Sequence, residues 1–185
     1  MSISDDLQRA LRKGDLVPLP MRLDSDPCIR EMFLSKEVYA LVLGPFLSSA
    51  HEVRANLLQA DLESFVRGEE VSIGLTPHRH KFATFGRLEP VSDAVFDFRS
   101  RIPSPSLRLL GHFESVDQFV ALTWWPKQKK VDWSEKEPLK EDALKWRHAM
   151  MECTEKWFEI LPNSPPISGA QGDRYVSSNL YIAGT

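Results

Sequence analysis

The amino-acid sequence predicts an α+β domain in which an antiparallel sheet, a β-meander, is packed by N-terminal helices and one long C-terminal helix. Two observations predict it. Apolar residues recur at helical spacing up to Gly68 and again over residues 138–161, whereas between these segments the period falls to two. The period-two runs are separated by short turn sequences, as in consecutive hairpins. A chain of 185 residues has room for one domain of ordinary size. Its 42% hydrophobic and 26% charged residues suffice for a core and exclude a disordered polymer. The organisation expected is a helical region over 1–68, a sheet plus long helix over 69–161 within the same compact unit, and a Pro/Gly-rich tail over 162–185.

Residues 4–13 carry Asp5 and Asp6 in the first turn, Arg9, Arg12 and Lys13 toward the end, and Gly14 as a stop, the charge order that a helix dipole favours. Pro18 and Pro20 exclude a helix interior over 15–26, which reads as a connector or edge strand. Pro27 opens a helical segment over 28–34, and Ser35 restarts an apolar run to Gly44 and Pro45; one kinked helix and two helices both fit. Ser49 with Glu52 makes a capping box, and Val53, Leu57, Ala60 and Ser64 beside Leu58, Leu62 and Phe65 give a helix that ends at Gly68.

The strands follow. Residues 71–75 and 80–88 read as two of them, separated by Thr76-Pro77. Over 95–102, Phe96, Phe98 and Ile102 interleave with Asp97, Arg99 and Arg101, one core face and one polar face. After a turn at 103–106, Leu107, Leu109, Gly111 and Phe113 alternate with Arg108, Leu110 and His112, and a third strand runs over 119–125. From 138 to 161 the residues Leu139, Ala143, Trp146, Met150, Cys153, Trp157 and Ile160 form one helical stripe, expected to cover the same side of the sheet as the helix over 49–67. Residues 174–182 read as a last short strand or a docked tail.

Lys and Arg total 23 against 26 Asp and Glu, a net charge of -3, so no global field draws the molecule to nucleic acid or acidic lipid and any anion site is local. Cys28 and Cys153 supply neither a disulfide framework nor a CxxC pair and fit a reducing interior. Asp5 and Asp6 stand where a signal peptide needs positive charge, and no run approaches the roughly 20 apolar residues of a membrane span. A cytoplasmic protein with no membrane partner and no cofactor is the expectation.

Three groups of residues offer chemistry. If the turn at 103–106 closes a simple hairpin, Arg101 stands across from Arg108 and Arg99 from Leu110, on the face opposite Phe96 and Phe98. Like charges placed opposite each other cost stability unless they splay into water, meet counter-charges such as Asp97 and Glu114, or hold an anion, for which bidentate arginine is suited. His112 and Trp124, on that face if the next hairpin keeps its pleat, add a proton carrier and a stacking ring. His78 and His80 form an HxH pair whose side chains project to one side of a strand, as two zinc ligands do, with His112 or His51 as a third; surface histidines are the competing interpretation. Lys127, Lys129 and Lys130, just after Trp124 and Trp125, combine positive charge with aromatic rings, the ingredients of a contact with single-stranded RNA.

The run Phe96-Asp-Phe-Arg-Ser-Arg101, the turn, Leu107-Arg-Leu-Leu-Gly-His-Phe113, the hydrophobic strand Asp117-Gln-Phe-Val-Ala-Leu122, a lysine-rich exit and an amphipathic helix together resemble the C-terminal half of RelE/ParE-type bacterial toxins, over residues 95–158. The resemblance implies a curved sheet beside helices. It also implies that Arg99 or Arg101, Arg108, and Lys127 or Lys129 fall where the family places phosphate-contacting residues; ribosome-dependent members cleave messenger RNA. On that basis Arg101, Arg108 and His112 are candidate catalytic residues, and Arg99, Trp124, Lys127, Lys129 and Lys130 candidate RNA contacts. The partners implied are RNA or the ribosome and a cognate antitoxin. Two further readings rest on other features: a non-catalytic protein-interaction module using the wide Trp/Met helix or the sheet face, and a small-ligand or metal pocket at His78, His80 and His112.

Overall fold

The computed structural model describes residues 4–46, 48–77, 82–102, 106–126 and 138–183, the side chains of Pro126 and of 138–143 excepted. Helix α1 (Asp5–Lys13) starts at Ser4, whose hydroxyl accepts the Leu7 N–H at 3.2 Å, and stops at Gly14, whose φ of 71° lies in the left-handed region that glycine enters without strain. Two strands follow, β1 (Leu16–Pro18) and β2 (Glu31–Ser35). Ser35 ends β2 and caps α2 (Lys36–Leu43) by accepting the Val38 N–H at 3.3 Å. Helix α3 (Ser49–Val66) is capped by Ser48 rather than by Ser49, its hydroxyl accepting the His51 N–H at 3.3 Å. Strands β3 (Val71–Gly74), β4 (Phe85–Arg87), β5 (Phe96–Ser100), β6 (Leu107–Ser115) and β7 (Gln118–Pro126) precede α4 (Pro138–Ile160), and β8 (Leu180–Ile182) closes the described chain.

The strands form one sheet in the order β1-β2-β7-β6-β5-β4-β3-β8. Strands β4 to β7 make the expected antiparallel meander, but the sheet is mixed: β2 runs parallel to β7, and β3 runs parallel to both β4 and β8. Side chains alternate with period two in parallel and antiparallel ladders alike, so the alternation carries no information on direction.

Residues 31–35 are a strand where a helix opened by Pro27 is expected. Flanked by β1 and β7 and covered on both faces, β2 is buried at Met32, Phe33, Leu34 and Ser35, and a short continuous apolar run has no period that separates strand from helix.

Helices α3 and α4 lie on opposite faces rather than on one. Leu58, Leu62 and Phe65 of α3 and Val38 and Val42 of α2 share a core with Phe85, Phe96, Phe98, Leu109, Phe113 and Phe119. Leu7 and Ala10 of α1 and Met150, Cys153 and Trp157 of α4 share another with Leu110, Val120 and Leu122. Alternation along β6 sends Leu109 and Phe113 to the first core and Leu110 to the second. Both faces therefore bury apolar area, and the helices complete a three-layer arrangement.

Candidate anion site

The hairpin of β5 and β6 begins at Ser100 opposite Leu107, so the loop comprises residues 101–106. Arg99, not Arg101, stands across from Arg108, and Asp97, not Arg99, across from Leu110. The shift is two residues, which preserves every side chain's face while exchanging its partner; loop length sets the register, and alternation does not report it.

Arg99, Arg108 and Asp97 all lie on the α4 face of the sheet. Arg99 donates from Nε to both oxygens of Asp97, at 3.0 and 2.9 Å, and its Nη2 lies 2.9 Å from Oδ1. Arg108 reaches Oδ2 of the same carboxylate from Nη1 at 2.8 Å. Asp97 is fully buried, and the Arg99 and Arg108 side chains, 11% and 23% exposed, form the outer side of the cluster. The like charges of Arg99 and Arg108, opposite each other in the ladder, are thus held together by a shared carboxylate. Burial lowers the pKa of Arg108; Asp97 opposes that shift and neighbouring Arg99 adds to it.

Aromatic rings flank the pair. The Arg108 guanidinium carbon lies 5.1 Å from the centre of the Trp146 ring, in cation–π contact, and Trp146 meets Trp125 edge-on at 5.9 Å. Trp125 is the cross-strand partner of Arg108. Trp124, expected on this face, pairs with Leu109 and packs against the opposite core, because Leu122 is an extra residue in β7: Leu110 pairs with Thr123 and Gly111 with Ala121.

Arg101 lies past the end of β5 and is exposed. Its Nη2 donates to the Ala83 carbonyl at 2.6 Å, and its guanidinium sits 5.9 Å from the Phe82 ring. Partial desolvation of the guanidinium, followed by the charge of Arg99, lowers its pKa, so the two cations sense each other. Ser100, on the other face, donates to Asp61 at 2.5 Å and accepts from Arg54 at 3.0 Å, which ties α3 to the end of β5.

His112 is set apart from the arginines. It is fully buried, and its ring centre lies 4.9 Å from that of Trp157, tilted by 54°, with Nδ1 donating to the Ala94 carbonyl at 3.0 Å. Nε2 has no partner among the described residues. Burial pulls its pKa down to about 4, against the opposing effect of the Ala94 bond, so at neutral pH the ring is uncharged.

His78, His80, Lys127, Lys129 and Lys130 lie outside the described residues. Among the described residues no group of three or more His, Cys, Asp or Glu side chains is arranged to hold a metal ion, and no helix is long and apolar enough to cross a membrane. Asp97 was legible in the sequence as a counter-charge; Trp146 appeared only as one member of the helical stripe, with nothing in the pattern to mark its contact with Arg108. Comparisons with family models, with curated proteins and with solved structures find no match to this chain.

Proposed function

We propose that this chain is an RNA-binding protein whose Arg99/Arg108 pair contacts a backbone phosphate, with Trp125 and Trp146 beside it as stacking surfaces. The observation that carries this reading is the cross-strand arginine pair oriented by one buried carboxylate and abutting an aromatic ring. A guanidinium whose rotamer is fixed by a second hydrogen bond loses little entropy on binding a phosphate oxygen, and stacking on bases tolerates any sequence. Arg101, at the mouth of the hairpin loop, adds positive charge to the same approach.

From the resemblance to RelE/ParE-type toxins the reading keeps the phosphate contact and leaves out the cleavage step. Proton transfer needs a group within hydrogen-bond reach of the substrate and a pKa near the working pH. His112 is sealed between Ala94 and Trp157 and stays neutral to about pH 4.

Binding of a labelled single-stranded RNA oligonucleotide, followed by fluorescence anisotropy across a salt series, tests the proposal. Arg108→Ala is expected to weaken binding about tenfold and to flatten the salt dependence. Asp97 keeps Arg99 in this variant, so the fold is retained, as circular dichroism checks. Unchanged affinity in the folded variant, or no binding by the wild type at low salt, overturns the reading. Gel analysis of the same RNA is expected to show it intact; cleavage that Arg108→Ala abolishes would replace binding by nuclease activity.

A further inference from the structure

Helix α4 buries Met150, Cys153 and Trp157 against the sheet and turns a different stripe outward. Leu144, Met151 and Phe158 are 68%, 55% and 49% exposed, and they recur at intervals of seven residues, two helical turns, so they lie in one line. Isolated exposed apolar residues are ordinary on a protein surface; three in register along one helix are a seam.

The charges beside this seam divide by position. Arg147 and His148 stand exposed in its N-terminal half, and Glu155 and Glu159 in its C-terminal half. The helix has no basic residue in its last turn, so the acids there oppose the helix's own dipole instead of complementing it. Arg147 and Glu155 form no ion pair among the described residues, whereas Glu152 and Lys156 pair with each other at 3.2 Å.

We infer that this face pairs with a second copy of the chain, the two α4 helices running antiparallel about a two-fold axis through Met151. In that arrangement Leu144 meets the partner's Phe158, Met151 meets the partner's Met151, and Arg147 meets the partner's Glu155. Each contact occurs twice, as an isologous interface requires. The Arg147/His148 segment of one helix lies beside the Glu155/Glu159 segment of the other, and the opposed dipoles attract. A parallel pairing would set Arg147 against the partner's Arg147 and Glu155 against the partner's Glu155, so the charge pattern selects the antiparallel one. This pairing does not depend on RNA binding: half-buried Trp146 lies beside Arg108, on a different side of the helix from the exposed seam.

Sedimentation velocity over a concentration series from micromolar to submillimolar, without RNA, tests it. The wild type is expected to dimerise. Met151→Lys, which places two like charges on the axis, is expected to leave a monomer with an unchanged circular dichroism spectrum. Arg147→Glu and Glu155→Arg are each expected to raise the dimer dissociation constant about tenfold, and the double exchange to restore it, because every bridge is then reversed rather than broken. A monomeric wild type, a dimer indifferent to Met151→Lys, or a double exchange no better than the single ones overturns the inference.

Discussion

Folding takes the His112 imidazole out of water and sets it between the Ala94 carbonyl and the Trp157 ring, where only the neutral form is tolerated. Its pKa falls from 6.5 to about 4, so as pH drops through 6.5 the unfolded chain takes up a proton that the native state refuses. Stability is therefore unaffected by this group above 6.5 and declines between 6.5 and 4, by about 3 kcal/mol in all. Urea unfolding of the wild type and of His112→Gln at pH 7 and pH 5 checks this: the wild type is expected to lose about 2 kcal/mol more than the variant over that interval. The sequence placed His112 correctly on the face of Arg108, since alternation along β6 decides the face. It did not reveal that α4 closes over that face and buries His112 against Trp157.

Strands β6 and β7 show how one irregularity redistributes side chains within an element. The extra residue at Leu122 moves Trp124 to the α3 side and leaves Trp125 beside Arg108. Close approach at the same point requires Gly111, because a Cβ there would lie 2.0 Å from the Val120 carbonyl oxygen and 2.9 Å from Cζ of Phe119. One of these is backbone held in the ladder, so relief demands that the strands part. Gly111→Ala is accordingly expected to destabilise the fold by about 3 kcal/mol, read from thermal or urea unfolding. Helices α1 and α3, each with a serine cap and a terminal glycine, were legible to within a residue, and α4 from its stripe. The β5/β6 partnership was legible too, but not its register. Strand β2 was not legible, because burial on both faces erases the alternation that marks a half-exposed strand.

At the scale of the whole molecule, the segment after α4 is part of the core. Tyr175 is fully buried and packs 4.9 Å from Phe96 and 5.3 Å from Phe113, and β8 adds the eighth strand beside β3. Buried Arg30 binds this segment to the rest: its guanidinium donates to the carbonyls of Phe65 and Glu69 at the end of α3 and of Ser178, at 3.2, 2.8 and 2.6 Å, with Nε 3.6 Å from Asp117. Asp117 in turn accepts from the Ser177 N–H at 3.0 Å. Deleting residues 170–185 is expected to remove the Ser178 acceptor of buried Arg30 and open the aromatic core together, with loss of cooperative thermal unfolding and rapid proteolysis of the truncated chain. By itself the sequence determined most of the helices, the central meander and the face on which each meander residue of β5 and β6 lies, because caps and periodicity are local properties of a few neighbouring residues. Tertiary structure alone decided the parallel pairings of β2 and β3, the pairing of Arg99 with Arg108 through Asp97, the burial of His112 and the anchoring of the tail by Arg30. Each of these depends on contacts between residues distant in the chain, for which local spacing carries no signal.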